Sequence, residues 1–159
     1  MNENSRLKFG LIPQEVWREQ SGLKIFQRMV TGEYPQAPIA GTLDFRLAKI
    51  ENGRAEFVGA PKENHYNPFG TTHGGYIATL LDSAMACAVH STLEAGQGST
   101  SLEFKVNFVR PIFERTGELK AVGETVNVGK QVATAEGKLI DEDGKLYAHA
   151  TTTCFIFDL

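Results

Sequence analysis

The clearest periodicity lies in the second half of the chain. In "SLEFKVNFV" the apolar residues Leu102, Phe104, Val106 and Phe108 alternate with Glu103, Lys105 and Asn107. A period of two predicts a strand buried on one face. "GELKAVGETVNVG", "KQVATAEGKLID" and "KLYAHATTTCFIFDL" read as three more strands, divided at Gly129-Lys130 and at Asp143-Gly144. The Asp-Gly pair is a strong hairpin signal, since tight hairpin turns need positive φ. Upstream, Leu43, Phe45 and Leu47 alternate in "TLDFRLAKI", "ENG" turns the chain, and "RAEFVGA" returns. The pattern predicts about six antiparallel strands.

One long helix interrupts them. "NPFGTTHGGYIATLLDSAMACAV", Asn67 to Val89, is apolar on nearly every side once it has begun. Thr72 is the expected N-cap, with His73, Gly74 and Gly75 in the first turn. Near the N-terminus, Val16, Leu23, Phe26 and Val30 fall at helical spacing between Pro13 and the stop residue Gly32. Gly22 leaves open one helix or two short ones. "EYPQAPIAG" reads as a connector. The expectation is an α+β protein with a helical extension over residues 1–40, packed on a domain spanning 41–159.

Composition adds limits. The chain has 159 residues, 42% hydrophobic and 22% charged, which suits one domain with one core. A net charge of −3 argues against nucleic acid as the main partner, but an anionic small molecule needs only a local basic patch. Cys87 and Cys154 show no metal-binding spacing, and as free thiols they fit a reducing compartment. "MNENSRLKFG" has no signal-peptide character. No apolar run reaches the ~20 residues of a membrane span, so a cytoplasmic location without membrane contact is expected.

The chemistry concentrates on the long helix. Adjacent glycines in a first turn cost roughly 1 kcal/mol each against Ala. Either close packing requires them, or a ligand approaches the unsatisfied backbone N–H groups, where an oxyanion would be stabilised. Asp82 is an acid in an apolar run. Either an unseen partner satisfies it, or it is a general base or nucleophile activated by desolvation. Gly74 and Asp82 are about 12 Å apart along a helix at ~1.5 Å per residue, too far for one carbonyl to touch both. If both serve one reaction, each site takes Gly74 from one copy and Asp82 from another, which implies a homodimer or higher oligomer.

"NPFGTTHGGYIATLLDSAMACAV" followed by "TSLEFKVNFVRPI" resembles the hotdog-fold thioesterases, specifically the branch typified by phenylacetyl-CoA thioesterase. The resemblance runs from about Gly41 to the C-terminus. It implies a long helix wrapped by a curled antiparallel sheet, paired into dimers or tetramers, and hydrolysis of acyl-CoA to a free acid and CoA. Coenzyme A is then part of the substrate, and no separate cofactor or metal is implied. By position, Asp82 matches the catalytic acid and Gly74 the oxyanion donor. Asn67 matches a position that contacts the substrate carbonyl or water. Ser101, with Thr100 as its rival, matches a hydroxyl that orients the nucleophile.

Each of these residues also has a plainer reading. Asn67 precedes Pro68 and suits a turn. Ser101 lies opposite the apolar stripe of its strand. His73 suits a first-turn hydrogen bond as well as acid–base work. Gly75 would add a second N–H beside Gly74. Arg110 and the Gly129-Lys130 hairpin are candidate CoA contacts or solvated strand ends. Trp17 and Phe26 could cover an acyl pocket or belong to the core. Two other functions remain: a hotdog hydratase or dehydratase acting on acyl thioesters, and a non-catalytic acyl-CoA-binding module.

Overall fold

Six antiparallel strands form one sheet in a computed structural model that describes residues 7–159. They are β1 (Phe45–Glu51), β2 (Arg54–Gly59), β3 (Gln97–Phe108), β4 (Leu119–Val128), β5 (Val132–Ile140) and β6 (Leu146–Asp158). Their order across the sheet is β1-β2-β4-β5-β6-β3. Helix α4 (Gly74–His90) lies in the curl of the sheet and contacts all six strands. This is the hotdog architecture that the resemblance implies, and the α+β class that the strand pattern and the inserted helix predict.

Small residues let the helix sit close. Ala121, Ala133, Ala135, Ala148 and Ala150 are buried on the three central strands. Gly123 of β4 is the tightest point: a Cβ there would lie 2.3 Å from the carbonyl carbon of Ala84. Close approach of helix to sheet therefore requires glycine.

The helix differs from expectation in two ways. Its cap is His73, not Thr72. His73 is extended (φ −61°, ψ 137°) and its Nδ1 accepts a 2.8 Å hydrogen bond from Gly75 N–H. Thr72 is held outside the helix by a bridge to Tyr66 and by its own N–H, which donates to Ile112 O at 2.9 Å. Nor is α4 buried all round. Tyr76, Ile77, Leu80, Leu81, Ala84, Met85, Ala88 and Val89 form one buried face. Ala78, Thr79, Asp82, Ser83, Ala86 and Cys87 form a half-buried face of small residues.

Two short helices, α1 (Gln14–Glu19) and α2 (Gly22–Val30), replace the single long one that Gly22 left in question. Gly22 has a docking role too. Its N–H donates to Leu93 O, and a Cβ would lie 2.0 Å from the His90 carbonyl oxygen. Ile25, Phe26 and Met29 of α2 are buried, Phe26 and Met29 in the common core. The expected connector contains a helix, α3 (Pro38–Thr42), with Pro38 in its first turn where its missing N–H is not needed. Gln36, 2% exposed, ties this segment to β1. Its Oε1 accepts from Leu47 N–H at 2.9 Å, and its Nε2 donates to Leu47 O and Met29 O.

Strand β3 is the largest departure. It is an edge strand, and Leu102, Phe104 and Phe108 are 61%, 40% and 57% exposed instead of buried. Its pairing with β6 shifts between Ser101 and Glu103. Ser101 faces Cys154 and Phe104 faces Thr152, with Leu102 as the extra residue. A bulge of this kind switches the parity of the strand. Ser101 therefore shares its face with Phe104, Val106 and Phe108, whereas strict alternation would put it on the opposite one.

Candidate active site

Asp82 sits midway along the open face of α4, half-buried rather than enclosed. Ser101, turned toward the helix by the bulge in β3, donates a 2.8 Å hydrogen bond from Oγ to Asp82 Oδ1. A hydrogen bond of this kind fixes the orientation of a carboxylate. Thr100 is exposed and pairs with Phe155, so its hydroxyl does not share this position.

A cavity of about 430 Å³ opens beside Asp82. One wall is the small-residue face of α4, with Ser83, Ala86 and Cys87. The other walls are large and apolar, including Trp17, Phe26, Met29, Phe45 and Phe57. Trp17 and Phe26 thus both line the cavity and pack in the core. They meet His90 edge to face, with ring centroids 5.0 Å and 5.6 Å away. His90 Nδ1 lies 3.1 Å from Ser99 Oγ, and burial lowers the His90 pKa to about 4. Burial, helped by the Asp82 charge, pushes the Cys87 thiol up to about 12. Cys87 is thereby a neutral lining group and not a nucleophile. Both cysteines are free.

The N-terminus of α4 opens on a different groove, of about 370 Å³, lined by Asn67, Thr71, Gly74, Phe108 and Arg110 among others. In the first turn, Gly75 N–H is taken by His73 Nδ1 and Tyr76 N–H by His73 O. Gly74 N–H, as the first of the helix, has no acceptor within it. The bond from Gly75 makes Nδ1 of the exposed His73 an acceptor, which places a neutral ring's proton on Nε2. Close packing also limits Gly74, since a Cβ there would lie 3.1 Å from the Phe108 ring. Asn67 is occupied locally: Oδ1 accepts from Phe69 and Thr71 N–H, and Nδ2 donates to Thr71 Oγ1 at 2.9 Å. Arg110 Nη1 donates to Leu146 O.

The candidate residues thus fall in two separate places. Asp82, hydrogen-bonded to Ser101, borders the apolar cavity, while Gly74, Asn67 and Arg110 border the groove at the helix start. Gly129 and Lys130 lie apart from both, in the β4–β5 turn, where Gly129 N–H donates to Val132 O. His65 is buried against Tyr76, its Nδ1 accepts from Lys62 N–H, and burial lowers its pKa. Among the described residues, no group of three or more His, Cys, Asp or Glu could hold a metal ion. No helix there is long and apolar enough to cross a membrane. Sequence reasoning missed the part of the cavity wall around Gln36. A lone Gln in a Pro-containing segment carries no periodic signal.

Comparison with known proteins bears on what this arrangement is for. Residues 69–148 match the family described as the thioesterase superfamily. The 1,4-dihydroxy-2-naphthoyl-CoA hydrolase of Escherichia coli K12 is 26% identical over 141 residues, covering 89% of this chain and 98% of that protein. A phenylacetic acid degradation-related protein of Ralstonia eutropha JMP134 is 33% identical with a TM-score of 0.73, covering 82% of this chain and 98% of its own. A thioesterase family protein from Silicibacter pomeroyi superposes with a TM-score of 0.75 at 26% identity, over 84% of this chain and 99% of that one. With this helix and sheet, and the family match across half of its length, the chain belongs to the thioesterase superfamily and is a hotdog-fold thioester hydrolase.

Proposed function

We propose that this protein hydrolyses acyl-CoA thioesters to a free acid and CoA, with Asp82 as general base or nucleophile. The observation that carries the reading is the Ser101–Asp82 hydrogen bond beside an apolar cavity. A carboxylate held there can direct a water at a thioester carbonyl or attack it directly, while the acyl group leaves water. Gly74 N–H, at the positive end of α4, suits the oxyanion that develops on that carbonyl. Arg110 in the same groove, and Lys130 at the far turn, supply positive charge for the CoA phosphates. The fit to a hydratase is poorer, because the exposed His73 uses Nδ1 as a cap and lies away from Asp82.

The two halves come together in a dimer. Among the described residues, strand β3 has an unpaired edge and an uncovered inner stripe of Phe104 and Phe108, both unfavourable to leave in water. Two copies joined antiparallel along β3 bring the helix start of one toward Asp82 of the other, giving two equal sites. The test is thiol release from acyl-CoA by the wild-type chain and by Asp82→Asn. The variant is expected to lose roughly 10²–10⁴-fold in kcat while remaining folded and oligomeric. Near-normal turnover would remove Asp82 from the mechanism.

A further inference from the structure

We infer that His65 is a positioning residue that holds the Gly74 N–H in the direction the reaction needs. The inference rests on the hydrolase reading with Gly74 as oxyanion donor, and adds the residue that aims that donor.

The first turn of α4 cannot aim itself. Gly74 and Gly75 have no Cβ to limit their backbone, so the helix start is soft where the N–H must be fixed. The Gly74 N–H belongs to the trans peptide that also carries the His73 carbonyl. In such a peptide the two groups lie in one plane and point in opposite directions. Whatever holds His73 O therefore sets the direction of Gly74 N–H. Tyr76 N–H donates to His73 O at 3.0 Å, and His73 N–H donates to His65 O at 2.8 Å. The helix start is thus tied at two points, by Tyr76 and by His65.

Both ties lead to His65. Its imidazole stacks on the Tyr76 ring, with centroids 4.5 Å apart and planes 23° apart. The same imidazole fixes the His65 backbone. Nδ1 accepts from Lys62 N–H at 3.1 Å while His65 N–H donates to Lys62 O at 2.9 Å, which closes the short turn Glu63–His65. That turn is anchored in the body of the protein. Lys62 Nζ pairs with the Asp44 carboxylate just before β1, and Tyr66 Oη accepts from Glu114 N–H at 2.6 Å. Tyr76 packs tightly on β2, where a Cβ on Gly59 would lie 2.6 Å from Tyr76 Oη. One residue thus couples an anchored turn, the cap of α4 and the third residue of the helix.

Packing alone does not account for a histidine here. The residue is 6% exposed, yet Nε2 has no hydrogen-bonding partner among the described residues, and neither has Tyr76 Oη. Unpartnered polar ends in a buried stack cost stability that two phenyl rings would not. What the imidazole has and a phenyl ring lacks is Nδ1, the acceptor that fastens the turn carrying the His65 carbonyl.

The test is thiol release by variants of the full chain, on whichever of acetyl-, palmitoyl- and phenylacetyl-CoA the wild type cleaves fastest. His65→Phe keeps the stacked ring and loses the acceptor. It is expected to hold Tm within about 4 °C, as for one lost hydrogen bond in a chain of this size. Its kcat should fall roughly ten- to hundred-fold with KM within about three-fold, because a displacement of about 1 Å can cost that much. His65→Gln keeps a reach-back acceptor and should recover part of the loss seen in His65→Ala. In a Gly74→Pro background, His65→Phe should cost no more than about two-fold, because the group it aims is gone. An unchanged kcat in His65→Phe, or an equal loss in both backgrounds, would overturn the inference and leave hydrolysis standing. Normal turnover in Gly74→Pro alone would sink the oxyanion reading and the inference with it. If no ester releases thiol, the hydrolase reading falls, and amide exchange still reads the positioning. His65→Phe should speed exchange of the Tyr76 N–H roughly ten-fold or more while the Leu81 N–H is unchanged. An unchanged Tyr76 rate would overturn the inference independently.

Discussion

Ser101 Oγ lies 2.8 Å from Asp82 Oδ1, so a strand hydroxyl and a helix carboxylate nineteen positions apart form one unit. Removing the hydroxyl leaves the carboxylate free to rotate and short of a charge-assisted bond of about 1.5–3 kcal/mol. Ser101→Ala is therefore expected to lower kcat roughly ten- to hundred-fold. Thr100→Ala, one residue away on the exposed face, should leave turnover within about two-fold of wild type. Steady-state thiol release on the two variants separates them. Equal effects would mean the bond is incidental.

Gly74→Pro tests the oxyanion donor without breaking the helix. Proline is tolerated at the first helical position, and His73 already has the extended backbone that a residue before proline prefers. The substitution deletes one N–H and is expected to cost roughly 10²–10³-fold in kcat. Circular dichroism should be unchanged.

Mixing two dead variants tests whether the site is shared. In a hybrid of Gly74→Pro and Asp82→Ala, one composite site is intact and the other carries both lesions. Random re-pairing of the two should then restore about a quarter of wild-type activity. Recovery near zero in exchanged dimers would place both residues of a site on one chain.

Gly123→Ala should damage the fold rather than the chemistry. Its Cβ would overlap the Ala84–Met85 backbone at 2.3–2.6 Å, and backbone cannot rotate away. The expected loss is about 3 kcal/mol, at the upper end of overpacking. That corresponds to a fall of roughly 6–12 °C in Tm for a chain of this size. Differential scanning calorimetry gives the value directly.

His90 makes stability depend on acid. Burial holds its folded pKa at about 4, against an ordinary 6.5, so the unfolded chain binds the proton first. Its contribution is complete above about pH 6.5 and is lost as the pH falls through about 4. The loss is of the order of 3 kcal/mol. His65, lowered by burial too, acts in the same direction. His90→Gln should flatten the decline between pH 6.5 and 4 in urea titrations, even if it is less stable at pH 7.

Much of this was legible in the sequence, because periodicity reports local burial. The alternation in each strand and the apolar run from Tyr76 to Val89 identified the sheet and its helix. Asp82 and Gly74 stood out because their residue types conflict with their surroundings. Long-range facts were not legible. Phe104 and Phe108 have a core pattern, yet the strand order puts them at an edge. The cavity draws on residues from Gly10 to Cys87, and no local window contains its shape. Thr72 had the better capping side chain, but its bridge to Tyr66 left the position to His73.

The bulge at Leu102 makes length, rather than identity, the sensitive property of β3. Leu102 is 61% exposed and should accept many side chains. Deleting it would instead force a choice. Either Ser101 keeps facing the helix and the Phe104–Phe108 stripe turns outward, or the stripe stays and the hydroxyl is lost to the far side. A single-codon deletion there would separate assembly from catalysis in a way that no substitution in this strand can.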